Sequence, residues 1–156
     1  MKKNIVVLLI AFVLSIFQTA FFLEIFGPTL NPNIILAFCF ALYIGWSARV
    51  GIFGAFVGGL FLDLVTLGPI GLSSLVFCCA VYLGSILQKR VLRGLQFQVI
   101  VLILFFILHK ILTGTDITNF GSDHILSLFL SLFSFVGFYW LISSFRSRFS
   151  KTSLYV

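Results

Sequence analysis

The sequence predicts an all-α integral membrane protein with six transmembrane helices and both ends of the chain in the cytoplasm. The prediction rests on composition, on the spacing of apolar segments and on the distribution of charge. Of the 156 residues, 61% are hydrophobic and 9% are charged, whereas a soluble domain is about half apolar and about a quarter charged. Because the mean hydropathy is +1.22, we expect lipid to surround much of the chain.

Six apolar segments follow one another and form a single predicted domain, residues 1–156. Each approaches the length of a membrane-crossing helix, for which about 20 residues are needed. Helices are expected because a lipid-exposed sheet edge would leave backbone groups unpaired. The predicted spans are residues 5–23, 33–48, 50–67, 70–87, 96–113 and 124–143.

The first two segments need separate justification. Lys2 and Lys3 precede the first segment in the charge order of a signal peptide, but no small-x-small cleavage site follows it. Its apolar run also exceeds the usual length of roughly 7–15 residues, so we expect an uncleaved helix. The second segment is short, and it extends back through Pro32 because proline is tolerated in the first helical turn.

The charged residues orient the predicted bundle. If the first helix starts in the cytoplasm, nine of the ten basic residues lie on the cytoplasmic side: Lys2, Lys3, Arg49, Lys89, Arg90, Arg93, Arg146, Arg148 and Lys151. The remaining base, Lys110, lies near the outer side with all four acids: Glu24, Asp63, Asp116 and Asp123. This bias is typical of cytoplasmic loops. Since the basic clusters alternate with apolar segments, we expect no nucleic-acid partner.

Few residues are suited to catalysis or metal binding. Cys39, Cys78 and Cys79 lie inside apolar segments with no histidine at ligand spacing, so we expect them to be small buried packing residues. Asp123 and His124 fit the start of a helix, where an acidic residue is favourable. No common catalytic or nucleotide-binding motif occurs. We therefore predict a protein without enzymatic activity, cofactor or metal.

Glycines are concentrated in the third span. Gly51, Gly54 and Gly58 fall on one face of a helix with 3.6 residues per turn. Gly54 and Gly58 form one small-xxx-small pair, and Ala55 and Gly59 form another. Such pairs let membrane helices approach closely. We predict that they pack against helices of the same chain; the alternative is a groove that faces a partner.

Asp63 is an unexpected charge in this span. It lies near the outer, C-terminal end of the predicted helix, where the macrodipole disfavours a negative charge. Burial near lipid adds a cost of roughly a few kcal/mol, and such residues usually have a functional partner. We predict a pair or shared polar network with Lys110, which lies at similar depth next to His109. The alternative is that Asp63 reaches the outer headgroups.

Residues 31–84 resemble the motif of the MreD family of bacterial rod-shape proteins, and the length and six-span pattern are similar along the whole chain. The matching residues are Pro32, Gly45, Gly51, Gly54, Gly58, Gly59, Leu60, Asp63, Gly68, Pro69 and Gly71. Two positions differ, because Asn33 stands where the family often has Asp and Asn31 replaces a frequent Arg. A charged pair is therefore not expected at the start of the second span.

The resemblance implies a multi-pass scaffold of the bacterial cytoplasmic membrane with no enzymatic activity. It implies partners in peptidoglycan synthesis, namely an MreC-like protein, a RodA-like glycosyltransferase, a class B penicillin-binding protein and an MreB-like filament. It also implies a bundle similar to the S components of vitamin transporters. The candidate packing and interaction residues are Pro32, Gly51, Gly54, Gly58, Gly59, Asp63, Gly68 and Gly71, with Lys110 as candidate charge partner.

A small transporter or S-component-like solute binder is the alternative function, and a membrane enzyme is a third. A solute site needs polar groups that converge near mid-membrane. Most polar residues of the chain lie near the ends of the predicted spans, and the exceptions are Ser15, Gln18, Thr19, Ser73, Ser74, Ser127, Ser131 and Ser134. The last three share a helical face, and we expect them to pack helices together.

Overall fold

The computed structural model describes residues 2–26, 32–67, 69–90, 95–112 and 122–152. These residues form six α-helices and no strand, which confirms the all-helical prediction for this part of the chain. The helices are α1 (Lys2–Phe26), α2 (Ile34–Gly45), α3 (Ala48–Thr66), α4 (Leu72–Arg90), α5 (Leu95–Leu112) and α6 (Ser122–Thr152).

The bounds of α2 and α6 differ from the predicted spans. Hydropathy marks apolar segments and does not mark where a helix begins or ends. The α6 helix continues to Thr152, beyond the predicted limit of 143, because a helix can continue past the apolar segment that hydropathy detects. The α2 helix begins at Ile34 with Asn33 as its N-cap, so the predicted extension through Pro32 is wrong, and it ends at Gly45, before the predicted limit of 48. Ser47 then caps the next helix by accepting a hydrogen bond from the Val50 amide, so the chain reverses earlier than hydropathy indicates.

Two helices are long and apolar enough to cross a membrane, namely Ala48–Thr66 and the segment Ile125–Ser144 of α6. The other apolar helical segments within the described residues contain 10–17 residues. These are Ile5–Phe21, Ile34–Gly45, Leu72–Leu87 and Gln98–Leu112. The number of membrane spans therefore stays a prediction.

The α2 helix is the centre of the bundle. Every residue of α2 except Ile44 is buried, and each of the other five helices contacts it. A helix that is apolar on all sides belongs in the interior of a helical protein. Its core residues, such as Phe40 and Leu42, pack against Phe77 and Val81 of α4 and Leu102 of α5 within one hydrophobic cluster.

The α3 helix lies between α1 and α4 and also contacts α2. A Cβ atom at Gly51 would lie 2.6 Å from the Cβ of Tyr43 in α2, and one at Gly58 would lie 2.6 Å from Cγ2 of Ile35. At Gly59 it would collide with the backbone of Ser74 in α4. The glycines of α3 thus lie against other helices of this chain, on two different sides of α3.

We expect Gly59→Ala to destabilise the bundle because the new methyl group meets backbone, which cannot rotate away. Overpacking of this kind costs about 1–3 kcal/mol in free energy of unfolding. Gly137→Ala in α6 is the matched control, since nothing lies within 4 Å of a Cβ there. Thermal unfolding in detergent micelles compares the two variants. Equal midpoints would contradict close α3–α4 packing at Gly59.

Candidate functional site

Asp63 lies at the point where α3 turns into α4. Its side chain is buried, with 3% of its surface exposed. The α3 helix is followed by its C-cap residue Leu67, whose backbone is left-handed (φ 52°) and whose N–H donates to the carbonyl oxygen of Asp63. Gly71, with φ +95°, then leads into α4. The short connection returns the chain so that the first amides of α4 face the Asp63 carboxylate.

The Asp63 carboxylate accepts hydrogen bonds from the N-terminus of α4. The Gly71 N–H donates to Oδ2 at 2.7 Å, and the Ser73 N–H donates to Oδ2 at 3.2 Å and Oδ1 at 3.3 Å. The first amides of a helix lack partners inside the helix, and negative charge there is stabilised by the macrodipole. Asp63 therefore caps α4 from the preceding helix, which offsets its unfavourable position at the end of α3.

The serines that follow join α4 to its neighbours. Ser73 Oγ lies 2.9 Å from Nε2 of His109 in α5, within hydrogen-bond distance. The His109 ring also lies against Phe77, with 5.2 Å between ring centroids. Ser74 Oγ donates to the carbonyl oxygen of Phe56 in α3 at 2.8 Å. We refer to Asp63, Gly71, Ser73, Ser74 and His109 as the Asp63 cluster, which connects three helices.

Lys110 follows His109 in α5, but the contact described for it is with an aromatic ring of its own helix, whereas His109 contacts Ser73 of α4. The Lys110 Nζ lies 5.9 Å from the centroid of the Phe106 ring in the same helix. The hydrogen bonds described for the Asp63 carboxylate come from backbone amides, and the Asp63–Lys110 pair stays a prediction. Sequence reasoning missed the capping role because it assigned Asp63 to the helix that contains it. The sequence did contain a signal for this role, because Gly68 and Pro69, which indicate a short turn, come soon after Asp63.

A second polar cluster surrounds the N-terminus of α2. The Asn33 N–H donates to Ser131 Oγ of α6 at 2.8 Å, and the Ile35 N–H donates to Gln18 Oε1 of α1 at 3.3 Å. Asn33 Oδ1 caps the helix by accepting from the Leu36 N–H at 3.2 Å. Residues from α1 and α6 thus satisfy backbone amides of the central helix.

This second cluster begins with Pro32, which is fully buried. Ser131 Oγ also donates to the carbonyl oxygen of Ser127 at 2.9 Å, and Ser134 bonds back within its own helix to Leu130. Of the three serines on this face of α6, Ser131 is therefore the one with a described bond to another helix. Asn33 Nδ2 and Ser127 Oγ are buried without a hydrogen-bond partner among the described residues.

A third polar cluster connects α2, α4 and α5. Tyr43 Oη donates to the carbonyl oxygen of Gly84 at 3.2 Å. Gln98 Nε2 lies 3.4 Å from both Tyr43 Oη and the Gly84 carbonyl oxygen. Sequence reasoning did not select these residues, because a tyrosine and a glutamine in different segments carry no common motif. Their proximity follows only from the packing of α4 and α5 around α2.

The three cysteines differ in their burial, and no metal-binding cluster occurs among the described residues. Within the described part of the chain, no group of three His, Cys, Asp or Glu residues could hold a metal ion. Cys39 is buried and Cys78 half-buried, in accord with packing roles, but Cys79 is exposed. The prediction of burial is wrong for Cys79 because its side of α4 faces away from the bundle.

Part of the charge pattern falls outside the described structure. Gly68, Arg93 and Asp116 lie outside the described residues. The side chains of most basic residues at the helix ends are also outside the described structure. The predicted separation of bases and acids therefore stays a prediction, although Arg49 and Glu24 are both exposed.

The fold and the three polar clusters define an all-helical protein, in the part of the chain that the structure describes, with two helices long and apolar enough to cross a membrane. No family model, curated protein or solved structure matches the chain.

We expect Asp63→Leu to destabilise the α3–α4 connection, because the Gly71 and Ser73 amides lose their acceptor. A buried group left without its partner costs about 1–3 kcal/mol. Asp63→Asn keeps one oxygen and should lose less. Unfolding in detergent and hydrogen exchange of the Ser73 amide measure both effects. Thr66→Val is the control, since the hydrogen bond described for Thr66 Oγ1 is to Leu62 of its own helix and its loss should change little.

A charge swap separates capping from pairing with Lys110. We expect the double variant Asp63→Lys with Lys110→Asp to stay as unstable as Asp63→Lys alone, since a lysine cannot accept hydrogen bonds from amides. Restored stability in the double variant would show instead that the charge pair determines the role of Asp63.

Proposed function

We propose that this chain is a six-span membrane protein that binds other membrane proteins without catalysing a reaction. Its distribution of polarity supports the membrane assignment. Phe129, Phe133 and Trp140 of α6 are 66–72% exposed, whereas Gln18 and Ser127 are buried. Soluble proteins bury their large apolar side chains and expose most of their polar ones. This protein has the reverse arrangement, which is expected of a chain that is surrounded by lipid.

The length of α2 is consistent with a bundle built for the bilayer. Its 12 residues extend about 18 Å, less than the hydrocarbon thickness of about 30 Å. With the C-terminus of α2 close to Arg49 at the proposed cytoplasmic boundary, its N-terminus lies below the opposite membrane surface, where lipid offers no hydrogen bonds. Gln18 and Ser131 supply them instead. This is the use of interior polar residues expected of a membrane bundle.

The engagement of these polar residues supports a binding role over catalysis. The Asp63 carboxylate and the Ser73, Ser74 and Ser131 hydroxyls all bond to other parts of the chain. The outer surface of α6 is rich in exposed aromatic residues, which offer large contact areas to a membrane partner. The observation that carries the proposal is this combination of an internally bonded polar interior with an apolar, aromatic exterior.

The resemblance of residues 31–84 to the MreD motif supports the particular role. We propose that the chain acts in the bacterial cytoplasmic membrane as a scaffold of the cell-elongation machinery. Its partners would be MreC-like, RodA-like and MreB-like proteins and a class B penicillin-binding protein of peptidoglycan synthesis. The internal packing of the α3 glycines is compatible with this role, because it leaves the outer faces of α1 and α6 for partners and lipid.

Solute binding is the alternative function, and one observation favours it. Asn33 Nδ2 and Ser127 Oγ are buried near the α2 N-terminus without described partners, and both could bind a polar ligand. The neighbouring amides are already bonded to Gln18 and Ser131, so little of the cluster remains for a solute. We therefore rank this function second.

The six-span topology predicts the side of each connection. Alkaline phosphatase, which is active only outside the cytoplasm, should be active when fused after Pro69. It should be inactive when fused after Ser47 or within residues 91–94. Fluorescent-protein fusions should give the opposite pattern and serve as the control for expression. Active phosphatase after Ser47 would contradict the proposed orientation.

The proposed role predicts a shape defect. Depletion of the protein in its rod-shaped host should make cells round up or swell, because wall elongation loses its scaffold. Microscopy measures the width of the cells, and re-expression of the unaltered chain should restore the rods. Expression of Gly59→Ala should restore them less well than Gly137→Ala at equal protein levels. Unchanged shape together with a nutrient requirement would favour the solute-binding alternative.

A further inference from the structure

The connection between α3 and α4 is unusually apolar for a turn at a helix end. Leu67 is 93% exposed and Ile70 is 74% exposed, and no charged residue occurs between Asp63 and Lys89. Turns are typically rich in Gly, Pro, Asn, Asp and Ser, and the last three have polar side chains that suit water. Residues 67–71 include glycine and proline but no Asn, Asp or Ser, and the exposed side chains are those of leucine, proline and isoleucine.

Several polar groups of this turn have their hydrogen-bond partners within the protein. Thr66 Oγ1 donates to the carbonyl oxygen of Leu62 at 2.8 Å, and the Leu67 N–H donates to the carbonyl oxygen of Asp63. The Leu72 N–H donates to the carbonyl oxygen of Pro69 at 3.1 Å. Proline itself has no N–H. The Gly71 and Ser73 N–H groups donate to the Asp63 carboxylate as well, so these described groups of the turn need no water as a hydrogen-bond partner.

The N-terminal end of α3 has a polar surface, in contrast to the apolar turn at its C-terminal end. There Ser47 and Arg49 are exposed, and the cap is a serine hydroxyl that accepts from the Val50 amide at 3.4 Å. A charged and a hydroxyl side chain are both suited to a watery interface. The two ends of one helix thus have opposite surface chemistry, although both are helix–helix connections.

We propose that the α3–α4 turn lies within the hydrocarbon region of the bilayer and contacts lipid acyl chains through Leu67 and Ile70. In lipid, non-helical backbone is tolerated only where its polar groups are satisfied by protein. The Asp63 carboxylate supplies acceptors that water would otherwise provide. The inference rests on the proposed membrane-spanning architecture and adds to it the depth of the α3–α4 turn in the bilayer.

Helix length and surface continuity favour lipid as the contact. With Arg49 at the cytoplasmic boundary, Thr66 lies 17 residues further along α3, or about 25 Å, inside a hydrocarbon layer of about 30 Å. The exposed side chains of Leu64 and Leu75 continue the apolar wall on either side of the turn. The turn is therefore the end of a surface that already faces lipid.

Spin labels measure this depth directly. Cys39, Cys78 and Cys79 are replaced by alanine, and single labels are attached at Leu67→Cys, Ile70→Cys, Phe56→Cys and Ser47→Cys. The full chain is placed in vesicles of phosphatidylcholine and phosphatidylglycerol. We expect collisions with oxygen, which partitions into lipid, to exceed those with a water-soluble nickel chelate several-fold at positions 67, 70 and 56. At position 47 the order should reverse.

The other outcomes have distinct meanings. Nickel access at position 67 as high as at position 47 would overturn the inference, while lipid exposure at position 56 would leave the membrane architecture intact. Low access to both reagents at position 67 would also overturn it, since protein rather than lipid would then cover the turn. Nickel access at position 56 as well would contradict the proposed membrane architecture itself.

A second measurement leaves the cysteines unchanged. Leu67→Trp is introduced into a chain with Trp46→Phe and Trp140→Phe, and lipids brominated on their acyl chains are added as quenchers. We expect strong quenching of the fluorescence at position 67 by acyl-chain bromine and little by aqueous iodide. Predominant quenching by iodide would overturn the inference. Circular dichroism of each variant verifies that the helices are retained.

Discussion

The burial of α2 on all sides is the constraint on which the rest of the structure depends. The other five helices all contact this central helix, so its two ends determine where polar side chains are needed in the interior. At its N-terminus, Gln18 and Ser131 bond to backbone amides. Near its C-terminus, Tyr43 bonds to the backbone of α4. A short central helix thereby positions two of the three polar clusters.

Asp63 satisfies the same constraint at a different helix end. A lone buried carboxylate is costly, but one that accepts hydrogen bonds from the amides of a helix N-terminus replaces bonds that those amides otherwise lack. Ser73 extends the effect to α5 through His109. A chain with four acidic residues can thus use one of them in its interior to orient α4 on α3. The proposed binding role then belongs to the apolar exterior, because these interior polar groups are already engaged.

Much of the secondary structure could be predicted from the sequence, and little of the polar interior could. Long apolar segments and small-residue spacing predict helices and their close approach, since both properties are local to one segment. The partners of Asp63 and Gln98 are not local. They depend on how the turn folds α4 back onto α3 and on which helices surround α2, and neither is expressed in the spacing of residues along a single helix. The exposure of Cys79 was missed for the same reason, because hydropathy does not distinguish the inner face of α4 from its outer face.

The sequence by itself determined the helical class and the small-residue face of α3, because composition and periodicity act within each segment. Only the tertiary structure decided that α2 is central, that Gly59 faces α4 while Gly51 and Gly58 face α2, and that Asp63 caps a helix other than its own. The physical reason is that hydrogen bonds and close packing join residues distant in sequence. Their partners exist only once the helices are arranged around a common centre.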